Sequence, residues 1–291
     1  MTTETTIYRK PKGNVFLQLQ RRLAYLFLLF LAAICIFPFL ILLVNASRSN
    51  AQIQVGFTLL PGKFFVTNFL NLVQDPNMTI LRSLFNSVFV SSATAFFSTY
   101  FSAMTAFGIY MYRFKGRNFA FNFIMLVMMV PGQVSALGFI QMVTKMGLYD
   151  TFLPLIIPAI ASPVVFFYMM QYMESVLPFE IVESARIDGA NEFFTFNTIV
   201  LPILKPAIAL QAIFSFVGSW NNYFMPALIL SSKNKKTIPI LIAQLRSADY
   251  MKFDLGKVYM LICLAIIPLL IVYLILSKQI IRGVTMGSVK G

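Results

Sequence analysis

The chain has no histidine, a single tryptophan, two cysteines and only ten acidic residues among its 291. Without histidine it lacks the commonest general base and a principal metal ligand. Cys35 and Cys263 each lie inside an apolar run, so neither a disulfide framework nor a zinc site is expected. The phosphate-cradling pattern G-x-x-x-x-G-K-[ST] is missing as well. Gly62-Lys63 has Phe57 where the first glycine belongs, and Gly256-Lys257 is followed by Val258. With carboxylates confined to loops and tails, acid–base or metal-assisted hydrolysis is not expected of this sequence.

What fills the chain instead is apolar. Hydrophobic residues make up 58% and charged residues 11%, 31 residues are phenylalanine, and the mean hydropathy is +0.78. A soluble domain cannot hide that much apolar surface, so the composition is that of a membrane protein. Six uncharged runs, 23–44, 84–112, 119–142, 151–173, 207–230 and 258–276, are each about the length of a bilayer crossing. The expected fold is all-α, a polytopic membrane protein with six transmembrane helices in one domain, 23–291, preceded by a basic tail, 1–22. That tail carries Arg9, Lys10, Lys12, Arg21 and Arg22. Val44-Asn45-Ala46 loosely resembles a signal-cleavage site, but the apolar run before it is longer than the roughly 7–15 residues of a signal core, so it is read as retained.

Six crossings place both termini on one side. Arg21, Arg22, Arg113, Lys115, Arg117, Lys278 and Arg282 flank that side, as the positive-inside tendency expects of cytoplasmic ends, and the resemblance given below is what fixes the orientation. The loop 231–257 runs against the tendency, because Lys233, Lys235, Lys236, Arg246, Lys252 and Lys257 fall on the outer side. None of the six runs holds Asp, Glu or His, the usual relays of proton- and ion-coupled carriers, so the energy for any transport must arrive from outside the membrane. Pro38, Pro131, Pro158, Pro163, Pro226 and Pro268 interrupt the runs beside Gln133, Ser135, Gln141, Gln171 and Trp220-Asn221-Asn222-Tyr223. Freed backbone groups must face protein or a water-lined cavity, so these helices are expected to bend around a pathway. Helix packing is the competing use of the polar residues, above all in the serine-rich stretch 85–98.

The most informative stretch is the polar island from Leu177 to Ala207. Half of the acidic residues, Glu174, Glu180, Glu183, Asp188 and Glu192, lie in it or just before it. Pro178 suits the first position of a helix, and Glu180 and Glu183 favour the positive end of its dipole. At 3.6 residues per turn Glu180, Glu183, Ser184 and Ile187 share one face, with Ile181, Val182 and Ala185 on the other. Asp188-Gly189 supplies the stop, since glycine closes a helix in the left-handed conformation without a Cβ penalty. Asn191 can then cap a second helix from Glu192 towards Val200, limited by Pro202 and Pro206, with Glu192 supporting its start. An acidic helix–turn–helix on a basic protein reads as a docking element for a basic groove.

Glu183-Ser184-Ala185, Ile187-Asp188-Gly189-Ala190, Ile199, Leu201-Pro202 and Lys205-Pro206 resemble the EAA loop of ABC importer permeases, with Ser184 replacing the usual alanine. Asn68-Phe69, Asn86-Ser87, Trp220-Asn221 and the closing Gly283 to Gly291 resemble the sugar-importing subfamily, in the manner of a maltose-type second permease; Ser288 replaces an alanine there. The resemblance implies a permease subunit of a sugar or oligosaccharide importer in the cytoplasmic membrane of a bacterium or archaeon. It implies no catalytic site and no cofactor in this chain, with ATP and Mg held by two ATP-binding cassette subunits. A homologous second permease, an extracytoplasmic sugar-binding protein and the lipid bilayer complete the expected partners, with no nucleic acid. Residues 177–206 become the coupling loop, through Glu180, Glu183, Ser184, Ala185, Ile187, Asp188, Gly189 and Ala190. Gln133, Gln171, Trp220, Asn221, Asn222 and Tyr223 are candidates for the substrate pathway, as amides and aromatic faces suit sugars. Lys233, Lys235, Lys236 and Arg246 are candidates for docking the binding protein. Alternatives are the same architecture carrying another cargo, such as an acidic glycan or peptide, and, more distantly, a channel or secondary carrier.

Overall fold

The computed structural model describes residues 15–76, 78–246 and 254–288. Most of the basic tail, Lys252 and the closing Val289 to Gly291 lie outside the described residues. The chain runs α1 (Val15–Ala46), α2 (Asn50–Val55), α3 (Phe65–Val73), α4 (Ile80–Met111), α5 (Arg117–Met128), α6 (Ala136–Lys145), α7 (Leu153–Ile156), a 3-10 turn (Ile157–Ile160) and α8 (Pro163–Val176). It continues through α9 (Phe179–Ile187), α10 (Glu192–Thr195), a π-turn (Phe196–Val200), α11 (Leu201–Ile203), α12 (Lys205–Trp220), α13 (Phe224–Ile229), a 3-10 turn (Lys233–Lys235), α14 (Ile238–Arg246) and α15 (Leu255–Ser288).

Four stretches are long and apolar enough to cross a membrane: Leu17–Ala46, Ile80–Met111, Leu153–Val176 and Leu255–Ser277. A fifth candidate is the bent pair Glu192–Ile203 and Lys205–Trp220, whose halves meet at 82°. The expected run 151–173 is α7, the 3-10 turn and α8, separated around Pro158 and Pro163, rather than one helix, and two more expected runs, 119–142 and 207–230, are also broken. The first breaks between α5 and α6 around Pro131-Gly132, and α5 alone, at 12 residues, spans about 18 Å against a hydrocarbon layer of about 30 Å. The second breaks at Asn221–Tyr223, where α12 gives way to the short α13. Conversely, Pro38 and Pro268 do not interrupt anything: each lies inside an unbroken helix, α1 and α15. A proline removes one N–H, and a long transmembrane helix with intact turns on both sides absorbs that loss.

α4, 32 residues and about 48 Å long, is the spine. Its small polar residues face inward: Ser83, Ser87, Ser91, Ser98, Thr99 and Ser102 are all buried. Ser98 Oγ donates to Ser215 Oγ at 3.0 Å, and Ser219 Oγ to Thr94 Oγ1 at 3.4 Å, so α4 and α12 pack through a seam of small hydroxyl side chains. Such residues let two backbones approach where water provides no hydrophobic drive. The serine-rich stretch therefore serves packing. At one end of α4 an apolar core gathers Phe107, Tyr110, Met169, Met173, Val182, Phe196 and Leu204; at the other, Leu72, Trp220, Ile238, Leu241 and Leu261. The first core sits under the polar island, and the second carries the basic loop, so the two candidate sites occupy opposite ends of the bundle.

Candidate functional site

The polar island is held by the C-terminal end of α4. Tyr110 donates its hydroxyl to the Leu177 carbonyl at 3.0 Å and stacks on Phe179 with ring centroids 4.6 Å apart. Pro178, in extended conformation, is the N-cap of α9, one position earlier than its expected place inside the helix. Val182 and Ala185 are buried while Glu180, Glu183, Ser184 and Ile187 are exposed, as the helical period requires; Ile181, expected on the buried face, is exposed. α9 ends in a Schellman closure. The Ala190 amide donates to the Ala185 carbonyl at 3.0 Å, the Gly189 amide donates to the Arg186 carbonyl at 3.1 Å, and Gly189 has φ +79°. Asn191 Oδ1 accepts from the Phe194 amide at 2.8 Å and so starts α10.

Arg186 folds back across this turn. Its Nε lies 2.6 Å from Glu192 Oε1, and its guanidinium sits over the Tyr112 ring at 5.4 Å from the centroid. The hydrogen bond from Arg186 holds the Glu192 carboxyl below the usual range, and the same bond raises the guanidinium. Glu192 was expected to support a helix start within an acidic surface; its charge is instead spent internally, tying α9 to α10. The free acidic face is Glu180, Glu183 and Asp188. Ile187, which the helical period puts on the acidic face, is 86% exposed, and Phe193, which sequence patterning did not single out, is 67% exposed, so the loop presents hydrophobic knobs between its carboxylates.

Beyond α10 the expected single helix widens into the π-turn. Tyr100 on α4 donates to Asn197 Oδ1 at 3.1 Å, and Asn197 Nδ2 donates to the Phe193 carbonyl at 2.8 Å. Phe196 is buried with its ring edge-on to Tyr100 at 5.8 Å. The chain then turns through the 82° bend into α12. The polar island and α12 are thus joined through a short, side-chain-pinned segment.

At the opposite end of α12 the structure brings together Trp220, Asn221 and Tyr223, which line a cleft of ≈ 490 Å³ between α12, α14 and α15. Trp220 is only 3% exposed and stacks on Phe216 at 5.7 Å, so it is a wall of the cleft and offers no free face. Asn222 is exposed, with Oδ1 accepting from the Met225 amide at 3.4 Å to start α13. Gln133, exposed in the α5–α6 break, and Gln171, which donates to Glu174 Oε2 at 3.3 Å near the end of α8, do not line the cleft. Arg246 does, although the sequence had grouped it with the docking lysines.

The basic loop has internal partners. Lys235 pairs with Asp150 Oδ2 at 3.3 Å, Lys257 with Asp75 Oδ2 at 3.1 Å, and Lys233 Nζ donates to the Pro76 carbonyl. Asp150 holds φ +58° while its Oδ1 accepts from the Ser231 and Ser232 amides at 2.9 and 3.0 Å and its Oδ2 accepts from the Ser232 hydroxyl. Burial would raise this carboxyl, but the Ser232, Ser231 and Lys235 bonds outweigh it and hold Asp150 well below the usual carboxylate range. Asn86 Nδ2 donates to the Asn234 and Lys236 carbonyls at 2.9 and 3.0 Å, fixing the loop to α4. Much of the charge that looked unexplained in sequence therefore braces the loop; the side chains of Lys236 and Arg246 enter none of these pairs.

Residues 98–285 match the family model of the binding-protein-dependent transport system inner membrane component. The chain is 32% identical over 268 residues to an arabinooligosaccharides transport system permease protein of Halalkalibacterium halodurans, covering 90% of this chain and 94% of that one. It is 29% identical to a trehalose/maltose transport system permease protein of Thermococcus litoralis, covering 94% and 98%. A solved bacterial ABC transporter involved in import of the acidic polysaccharide alginate contains a chain of the same fold, with a TM-score of 0.75, 21% identity and coverage of 94% and 99%.

Proposed function

The chain belongs to the binding-protein-dependent inner membrane components of ABC transporters, and from that premise we propose that it carries a sugar or oligosaccharide across the cytoplasmic membrane, driven through the loop 177–206. Permeases of this family have no catalytic site or cofactor of their own; ATP is bound by partner ATPase subunits. Carbohydrate as cargo is supported by the arabinooligosaccharide and trehalose/maltose permeases to which the chain is similar over nearly its whole length. The partners are a homologous second permease, two ATP-binding cassette subunits and an extracytoplasmic binding protein. In this arrangement six crossings, three of them interrupted at α5–α6, α7–α8 and α12–α13, put both termini in the cytoplasm.

The observation that carries the coupling role is the exposed tip of α9. Ile187, Asp188 and Gly189, with Glu183 on the same face, stand out from a helix whose other side is buried against α4. Insertion of that tip into an ATPase cleft would pull on α10 through Arg186–Glu192, and through the continuous chain on the π-turn and α12, with Tyr100–Asn197 as the tether of the π-turn to α4. Rocking of the broken helices then alternates access to the pathway. At the far end Lys236 carries charge left over for the binding protein.

Topology is checked with single cysteines in a background lacking Cys35 and Cys263. An impermeant thiol reagent applied to intact cells is expected to label Asn234→Cys and spare Thr3→Cys. The reverse pattern overturns the orientation and with it the coupling role.

A further inference from the structure

The cleft between α12, α14 and α15 unites two features that lie apart in the sequence: the amide and aromatic residues at the end of α12, and a cation at the end of α14. Resting on the sugar-importer reading above, we infer that this cleft recognises an anionic group on the transported sugar, with Arg246 as the residue that takes it.

Arg246 is the one charged side chain among the described residues lining the cleft, and it is exposed. Lys233, Lys235 and Lys257, the neighbouring cations at this end of the bundle, each hold an oxygen of the protein. Among the described residues no carboxylate pairs with Arg246. A cation that no described residue engages, beside a concave wall, is complementary to an anion arriving from solution. Guanidinium also offers a planar fork of donors that matches a carboxylate or phosphate in two parallel hydrogen bonds.

The rest of the wall fits the remainder of such a solute. Asn221 supplies both donors and acceptors and Tyr223 a hydroxyl on an exposed ring, suited to sugar hydroxyls. Ile242, Ile262 and Ile266 give an apolar side for the C–H faces of a ring. A volume of ≈ 490 Å³ falls within the range of small-molecule sites, which is roughly 300–1,000 Å³. The cleft also borders the break at Asn221–Tyr223, so it sits at the end of the helix whose other end carries the 82° bend from the docking loop. An occupant there is held by the element that coupling would move.

A cation in the last turn of a helix can also do no more than offset the helix dipole, in which case it would be indifferent to cargo charge. Uptake into proteoliposomes separates the two. The complete transporter is supplied with its binding protein saturated by a neutral oligosaccharide, by one bearing a uronic carboxylate, or by a phosphorylated sugar. Because the same binding protein serves wild type and variants, changes between them report the permease. Arg246→Gln is expected to raise KM for the anionic cargo about tenfold or more with little change in the neutral one, and Arg246→Lys to recover part of it. Preference for the uronate or for the phosphate tells which anion is meant. Equal effects on neutral and anionic cargo, or import of neutral sugar alone by wild type, overturn the inference while leaving the sugar importer in place. Failure of wild type to import any of the three brings down both.

Discussion

Gly189→Val is expected to leave the chain inserted in the membrane and paired with its second permease, while ATPase binding, stimulated ATP hydrolysis and uptake are lost together. The cause is torsional. An added Cβ at Gly189 meets nothing within 4 Å, but the residue sits at φ +79°, where an L side chain costs about 1–2 kcal/mol and a β-branched one more. Relieving that strain breaks the two closing bonds, Ala190 to Ala185 and Gly189 to Arg186, and swings Ile187 and Asp188 off the tip of α9. The loop rests on a small core contact through Val182 and Ala185, so it has little packing with which to resist. Gly189→Asn is expected to retain most activity, because asparagine tolerates the left-handed region. Glu183→Lys is expected to match the valine variant by a different route, reversing charge on an exposed face without disturbing the fold. Glu192→Gln is expected to be milder, since an amide oxygen still accepts from Arg186 and the pair is partly exposed. Copurification of the ATPase alongside uptake checks all four; wild-type uptake by Gly189→Val contradicts the coupling role, and loss of insertion assigns the turn to folding.

Asp150→Ala is expected to injure the other end of the molecule. The substitution removes the acceptor for the Ser231 and Ser232 amides and the counter-charge of Lys235, a loss on the order of 2 kcal/mol with water partly compensating. It also leaves alanine at φ +58°, a conformation that aspartate tolerates better. The loop 231–236 should then come away from the α6–α7 turn, seen as faster labelling of Asn234→Cys and faster proteolysis, with uptake falling while the ATPase still copurifies. The pH dependence has a definite sign. A carboxyl held below its ordinary value of about 3.9 contributes stability that is present above that value and is lost only as pH falls through the lower folded value. Between pH 5 and 8 the latch is expected to be constant. Unchanged labelling in Asp150→Ala, or a loop that loosens in wild type across pH 5–8, contradicts it.

The loop 177–206 was legible because its signals are local. A stop at Asp188-Gly189, a cap at Asn191 and an acidic face at 3.6-residue spacing all act within one or two turns, and each is found where the spacing places it. Glu192 and the basic loop were read incompletely for the opposite reason. Glu192 is taken by an arginine across a turn, and Lys235 by a carboxylate 85 residues away, pairings that no local pattern announces. The breaks in the third, fourth and fifth apolar runs were half legible. Prolines mark where a backbone can yield, yet Pro38 and Pro268 pass through unbroken helices while Asn221–Tyr223, without a proline, is a true interruption. Whether a helix continues depends on the neighbours that satisfy the freed groups. Trp220 shows the same limit: its type suited a sugar platform, but packing on Phe216 buries its face.

The exposed tip of α9 as the grip for the ATPase is tested most directly by crosslinking. A photoreactive residue placed at Ile187, 86% exposed at the head of the turn, is irradiated in cells and the adducts are identified by mass. An adduct with an ATP-binding cassette subunit at position 187 and none at Asn234 is the predicted result. Capture of that subunit from 234, or its absence from 187 in a complex that still imports, would contradict the account.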